Sequence, residues 1–207
     1  MHTTKLLFMT IAVASLVTSF KLPANLQDGV YMASYDASGT EIHVALNTTT
    51  PASSLKMIRD STRSNDIQER DYGFGVGILT SWCGCDYPLD PGNCDKAVQR
   101  LKNQCNNNGG SCKIPYASAW YSISNNAVTF ACNDNSASTS AITCVIDASY
   151  LTSAYSFITA KCGQYIAGTM LYEDWGIEND APYVGYMQYY SGLNFCNDAE
   201  SANESKC

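Results

Sequence analysis

The residues best equipped for chemistry in this chain are its ten cysteines, Cys83, Cys85, Cys94, Cys105, Cys112, Cys132, Cys144, Cys162, Cys196 and Cys207. Thiols can hold a metal, act as nucleophiles or pair as disulfides, and spacing helps to choose among the three. No C-x2-C pair occurs, and both histidines, His2 and His43, precede the first cysteine, so zinc-site patterns are not met. Oxidised pairs are the remaining reading. Ten cysteines allow up to five bridges, each stabilising by roughly 2–4 kcal/mol in an oxidising compartment.

Other catalytic chemistry has few carriers. A chain trimmed to its cysteine-rich part would contain no histidine, which excludes Ser-His-Asp, Cys-His and histidine-dependent ribonuclease mechanisms. Glu173, Asp174, Glu178 and Asp180 cluster, and glycoside hydrolysis needs two carboxylates roughly 5–10 Å apart. Clustered loop acids are more commonly a solvated surface, and these lack the spacing of a calcium loop. The expectation is no catalytic residue, no metal and no cofactor. Tyrosine is abundant, with fourteen copies, and Tyr and Trp give amphipathic contact surface at low entropic cost. Trp120, Trp175 and Tyr186 are the residues expected on an exposed binding surface.

The elements that must position these residues begin after a leader. Leu6–Val17 is apolar, too short for a membrane span, and followed by the small residues Thr18 and Ser19, so residues 1–19 read as a signal peptide. Residues 20–70 hold two strand-like runs, 30–35 and 40–46, around the turn composition Asp36–Gly39. A polar stretch with Arg59, Arg63 and Arg70 follows, so this segment reads as a propeptide, or as an N-terminal hairpin plus linker. Residues 71–207 are the stapled domain. Thirteen acidic against six basic residues from Asp71 onward repel phosphate backbones and anionic headgroups, which excludes nucleic acid and disfavours membranes as partners. Asn47 and Asn203 begin N-glycosylation sequons.

Within the stapled domain, Asp90-Pro91 starts a helix whose stripe is Cys94, Ala97, Val98, Leu101 and Cys105, and Asn106–Gly110 stops it. Asp147 caps a second helix with the stripe Leu151, Ala154, Tyr155, Ile158 and Cys162. Strands are expected at 73–82, 117–123, 127–132, 164–172 and 183–190. Alternation puts Tyr121, Ile123, Val128, Phe130 and Cys132 toward the core, and Trp120 with Ser118 and Ser122 on the opposite face. The fold class that follows is α+β: an antiparallel sheet with both helices on one face, its other face exposed or lightly covered.

The segments CGCDYPLDPGNCDKAV (83–98), VTFACN (128–133), KCGQYIAGT (161–169) and GYMQYYSGLNFC (185–196) together resemble small secreted cysteine-rich proteins of filamentous fungi, a group of candidate effectors. The resemblance covers about residues 72–207, with a looser echo in DGVY at 28–31. The order of elements is similar to the killer-toxin-like α/β sandwich. The resemblance implies an extracellular role, binding a protein or glycan of a host or competitor. The alternatives are a membrane-active killer-type toxin and a small carbohydrate-active enzyme working through a carboxylate pair.

Overall fold

The computed structural model describes residues 20–46, 77–133, 143–174, 182–198 and 204–207. Expected helix signals are found where the sequence places them. The Asp90 side chain accepts from Asn93 N–H and opens α1 (Pro91–Asn107), whose stripe of Cys94, Ala97, Leu101 and Cys105 is buried. Asp147 accepts from Tyr150 N–H and opens α2 (Ala148–Cys162), with Leu151, Ala154, Tyr155, Ile158 and Cys162 inward.

The main sheet has seven strands, all pairs antiparallel, in the order β2-β1-β5-β6-β9-β8-β3. The strands are β1 (Gly29–Tyr35), β2 (Glu41–Leu46), β3 (Gly77–Pro88), β5 (Ser118–Ser124), β6 (Ala127–Asn133), β8 (Ile166–Asp174) and β9 (Tyr183–Gln188). Two short strands that the sequence reading passed over, β4 (Cys112–Ile114) and β7 (Cys144–Ile146), pair separately. A two-residue turn joins β5 to β6, with Asn125 at φ 53°, a conformation asparagine tolerates well. Both long helices pack on one face, α1 over β1, β5 and β6, and α2 over β3, β8 and β9.

The assignment of faces in the central hairpin is reversed. Trp120, Ser122, Thr129 and Ala131 lie on the helix face, whereas Tyr121, Ile123, Val128, Phe130 and Cys132 form a second core on the other. Both strands are buried throughout, so alternation alone does not say which side the helices take. Small residues at 122, 129 and 131 leave room for α1. The large ones opposite are covered by Phe20 and Leu22 and by residues 193–196, ending in a short helix α3 (Phe195–Asp198).

Four bridges are made: Cys83–Cys162, Cys85–Cys207, Cys105–Cys112 and Cys132–Cys196. That is one fewer than the five that ten cysteines allow. Cys94 and Cys144 belong to none of the four, and Cys94 is a buried thiol facing tyrosines beneath the helices. Two bridges fix the sheet's β3 edge. Cys83 ties that strand to α2, and Cys85 ties it to the tail, where Glu204 pairs with Cys83 and Ser81 donates to Ser205 O at 2.8 Å. The described residues hold no helix long and apolar enough to cross a membrane.

Residues 20–46 contain no cysteine, yet the β1–β2 hairpin supplies two of the seven strands. Val30, Tyr31 and Ala33 are buried, and β1 pairs with β5 over Gly29–Ala33. Asp28 accepts from Asn125 N–H at 2.6 Å and from Arg100 of α1 at 3.1 Å. Burial opposes its ionisation, but these donors prevail and hold the carboxyl below its ordinary range. A domain limited to 71–207 would therefore lose a sheet edge and uncover core. The end of the expected 20–70 segment at Arg70, the leader and Asn47 lie outside the described residues.

Two measurements follow. Cutting the native chain at a protease site engineered between residues 47 and 76 should leave the 20–46 fragment bound on size exclusion and release it in denaturant. Gly185 faces Phe130 so closely that an added Cβ would sit 2.6 Å from the ring and 2.7 Å from Gly168 O. Gly185→Ala should lower the urea-unfolding free energy by roughly 1–3 kcal/mol.

Candidate functional site

Cover over the face away from the two long helices ends partway across. The second core takes residues from β1, β5, β6 and the adjoining side of β9, and none from β8 or β3 among the described residues. Over β9, β8 and β3 a cavity of about 560 Å³ remains, a size that accommodates a small ligand.

Its floor is made where side chains are smallest. Gly84 pairs with Ala167, and Trp82 with Thr169, across the β3–β8 ladder. Beyond Gly84 the register shifts until Pro88 meets Ile166. That bulge turns Tyr87 outward, 60 % exposed, while its ring lies 3.3 Å from where a Gly84 Cβ would be. The bulge is held at several points: the Cys85–Cys207 bridge, Leu89 N–H to Tyr165 O at 2.7 Å, and Gln188 Nε2 to Pro88 O at 2.8 Å.

The lining also takes residues from the strap after β9. Gly192, at φ 82°, makes the turn that brings Leu193 N–H to Tyr190 O at 3.2 Å and its own N–H to Leu22 O at 2.8 Å. Tyr190 stands beside this turn at 56 % exposure, and the Cys132–Cys196 bridge pins the strap to the sheet. Asp198 of α3, with Leu193, completes the lining. The groove thus combines Trp82, Tyr87 and Tyr190 with a hydroxyl at Thr169, an amide at Gln188 and a carboxylate at Asp198. Trp82 is braced from the side by Tyr183, ring centres 5.9 Å apart. Among the described lining residues there is one carboxylate and no Lys, Arg or His.

The residues expected to form a binding surface lie elsewhere. Trp120 is 7 % exposed on the helix face, between Met32 and Ala131 in the ladder. Tyr186 is 3 % exposed beneath α2, with Thr159 Oγ1 3.3 Å from its hydroxyl, and burial pushes that phenol up to about 12. Both are corrected from surface to core: their strands are covered by helices on that side. Trp175, Glu178, Asp180 and Asn203 lie outside the described residues, as do the side chains of Glu173 and Asp174. Trp82, Tyr87 and Tyr190 were missed. Alternation from an inward Cys83 would have placed Trp82 and Gly84 together on the other face, but the bulge that aims Tyr87 has no clear mark in sequence.

No family model, no curated protein and no solved structure matches this chain.

Two polar clusters outside the groove carry titratable groups. His43 contacts Tyr121 OH through Nδ1 and Glu41 Oε1 through Nε2, each at 2.7 Å, and Glu41 Oε1 also accepts from Lys21 N–H at 2.7 Å. This resembles a base with its orienting acid, but the group it faces is a fully buried phenol stacked on Tyr31. The cluster docks β2 onto the second core. Between the helices and the sheet, Thr129 hydrogen-bonds both Tyr155 OH and Gly185 O, and Cys94 lies among the same tyrosines. Burial, with Asp95 adding to it, pushes the Cys94 thiol up to about 12, so it carries almost no thiolate at neutral pH. No group of three or more His, Cys, Asp or Glu among the described residues is placed to hold a metal.

The measurement here is alkylation without reduction. Iodoacetamide should leave Cys94 unmodified in the native protein and label it once denaturant exposes it, read by peptide mass spectrometry.

Proposed function

We propose that this protein is secreted and works outside the cell as a non-catalytic recognition protein, with the groove over β9, β8 and β3 as its recognition site. The observation that carries the reading is the pair of exposed tyrosines lining that groove, Tyr87 on a bulge and Tyr190 on a strap, with a disulfide in each of those segments. Large aromatic side chains kept in solvent on braced backbone suit binding, because little entropy is lost when a ligand arrives. Four bridges are typical of extracellular proteins, in keeping with the apolar leader. The likeness of the cysteine-rich segments to small secreted fungal proteins points the same way, to a host or competitor molecule as the target.

Against a hydrolase stands the single carboxylate in the described lining, where glycoside hydrolysis uses two. Against a membrane-active toxin stands the net charge of −7.

Fluorescently labelled protein should bind the surface of host or competitor cells saturably. The Tyr87→Ala, Tyr190→Ala double variant should bind about tenfold more weakly or less, with its unfolding midpoint unchanged. Undiminished binding by that variant would remove the groove from the function, and release of product from the cell wall would make the protein an enzyme.

A further inference from the structure

We infer that the outer edge of β2 is a self-pairing surface, through which two copies of this chain join their sheets into one. β2 stands last in the sheet order, and all six of its residues are in register with β1 on the inner side. The phase of that ladder is set at the turn, where Asp36 N–H donates to Thr40 O at 2.9 Å. Alternation from there turns the backbone groups of Ile42, Val44 and Leu46 toward β1, and those of Glu41, His43 and Ala45 outward. No strand among the described residues pairs with that outer side. The other end of the sheet is closed: Cys83 N–H donates to Glu204 O at 2.7 Å, and the Cys85–Cys207 bridge ties the tail down.

Edge strands are ordinarily blunted by lysine, proline, a bulge or a charge set along the edge. β2 holds no Lys, Arg or Pro, and its register with β1 is unbroken. Its one acid, Glu41, has its carboxylate engaged by His43 Nε2 and Lys21 N–H, each at 2.7 Å. On the side of the long helices, Ile42 and Val44 are 37 % and 44 % exposed. The strand's own pattern selects a second copy as the occupant. Antiparallel pairing of two β2 strands about His43 sets Ile42 opposite the partner's Val44 and Val44 opposite the partner's Ile42, so both exposed apolar residues are matched. The same register sets Glu41 against the partner's Ala45, which keeps the two carboxylates at opposite ends of the pair. Such an isologous contact closes at two copies. The groove over β9, β8 and β3 lies toward the far edge of each sheet, so pairing leaves both grooves open.

Sedimentation equilibrium of the full chain at concentrations from about 10 µM to 1 mM tests this, a range suited to a contact as small as one strand pair. The expected result is reversible association of monomer to dimer, with no larger species. Ala45→Pro removes an outward N–H that the β1 ladder does not use, and Val44→Lys places a cation at the contact. Each should weaken association about tenfold or more, with the unfolding midpoint kept. Amide exchange gives a readout on the parent chain alone: the His43 and Ala45 amides should exchange more slowly at 1 mM than at 10 µM, both about as stated above. The inference is overturned if the chain stays monomeric up to about 1 mM, which would leave the edge to a strand from another protein. It is equally overturned if both variants dimerise as tightly as the parent, or if a dimer forms while those two amides exchange at an unchanged rate.

Discussion

Phe195 holds the architecture together from the side without long helices. Its ring lies 5.4 Å from Phe130, 5.2 Å from Tyr121 and 6.4 Å from Phe20, joining the strap, both central strands and the N-terminal segment. The central hairpin carries large apolar residues on this face. Without a cover, a second hydrophobic surface would face water. The Cys132–Cys196 bridge holds the strap beside that contact, so the covalent and hydrophobic constraints act on the same few residues. The β1–β2 hairpin depends on it too, because Tyr31 and Ala33 are buried only beneath this layer.

The groove is a by-product of where that cover stops. Bulky side chains occupy the covered side of the face, and the sheet changes to Gly84, Ala167 and Thr169 where the strap turns away. On the helix side the same strands show the opposite demand. An added Cβ on Gly168 would meet Ile158 at 2.7 Å and Cys162 Sγ at 2.9 Å, so that glycine lets α2 and its bridge approach. Consecutive small residues in β8 thus answer two different needs, close packing above and open space below.

Helices were the most legible part of the sequence. Caps at Asp90 and Asp147 and the stripes behind them are local signals, and local signals survive folding. Strand positions were legible within a few residues, but the choice of face at Trp120 was not. That choice depends on which distant segments arrive to cover each side, and no short-range pattern encodes it. The cysteine total read correctly as a stapled domain, whereas pairing all ten overreached. Cys94 sits on the helix stripe with Ala97 and Leu101 because it packs as a small hydrophobe, and composition cannot distinguish that use from bridging. The candidate site was least legible, since Tyr87 owes its exposure to a register shift and Tyr190 to a turn.

The bridge that braces the groove's bulge also sets an order of events during synthesis. Cys85 leaves the ribosome 122 residues before Cys207, and Cys83 leaves 79 residues before Cys162. At translation rates of about 5–20 residues per second, the longer gap lasts on the order of ten seconds. Until those partners emerge, Cys83 and Cys85 have Cys94 and Cys105 as their neighbours in sequence, and neither pairs with them in the finished fold. Oxidation between such neighbours would give non-native pairs that must exchange before the fold can close. Reaching the native bridges from such pairings depends on thiol–disulfide exchange, the step that a disulfide isomerase catalyses.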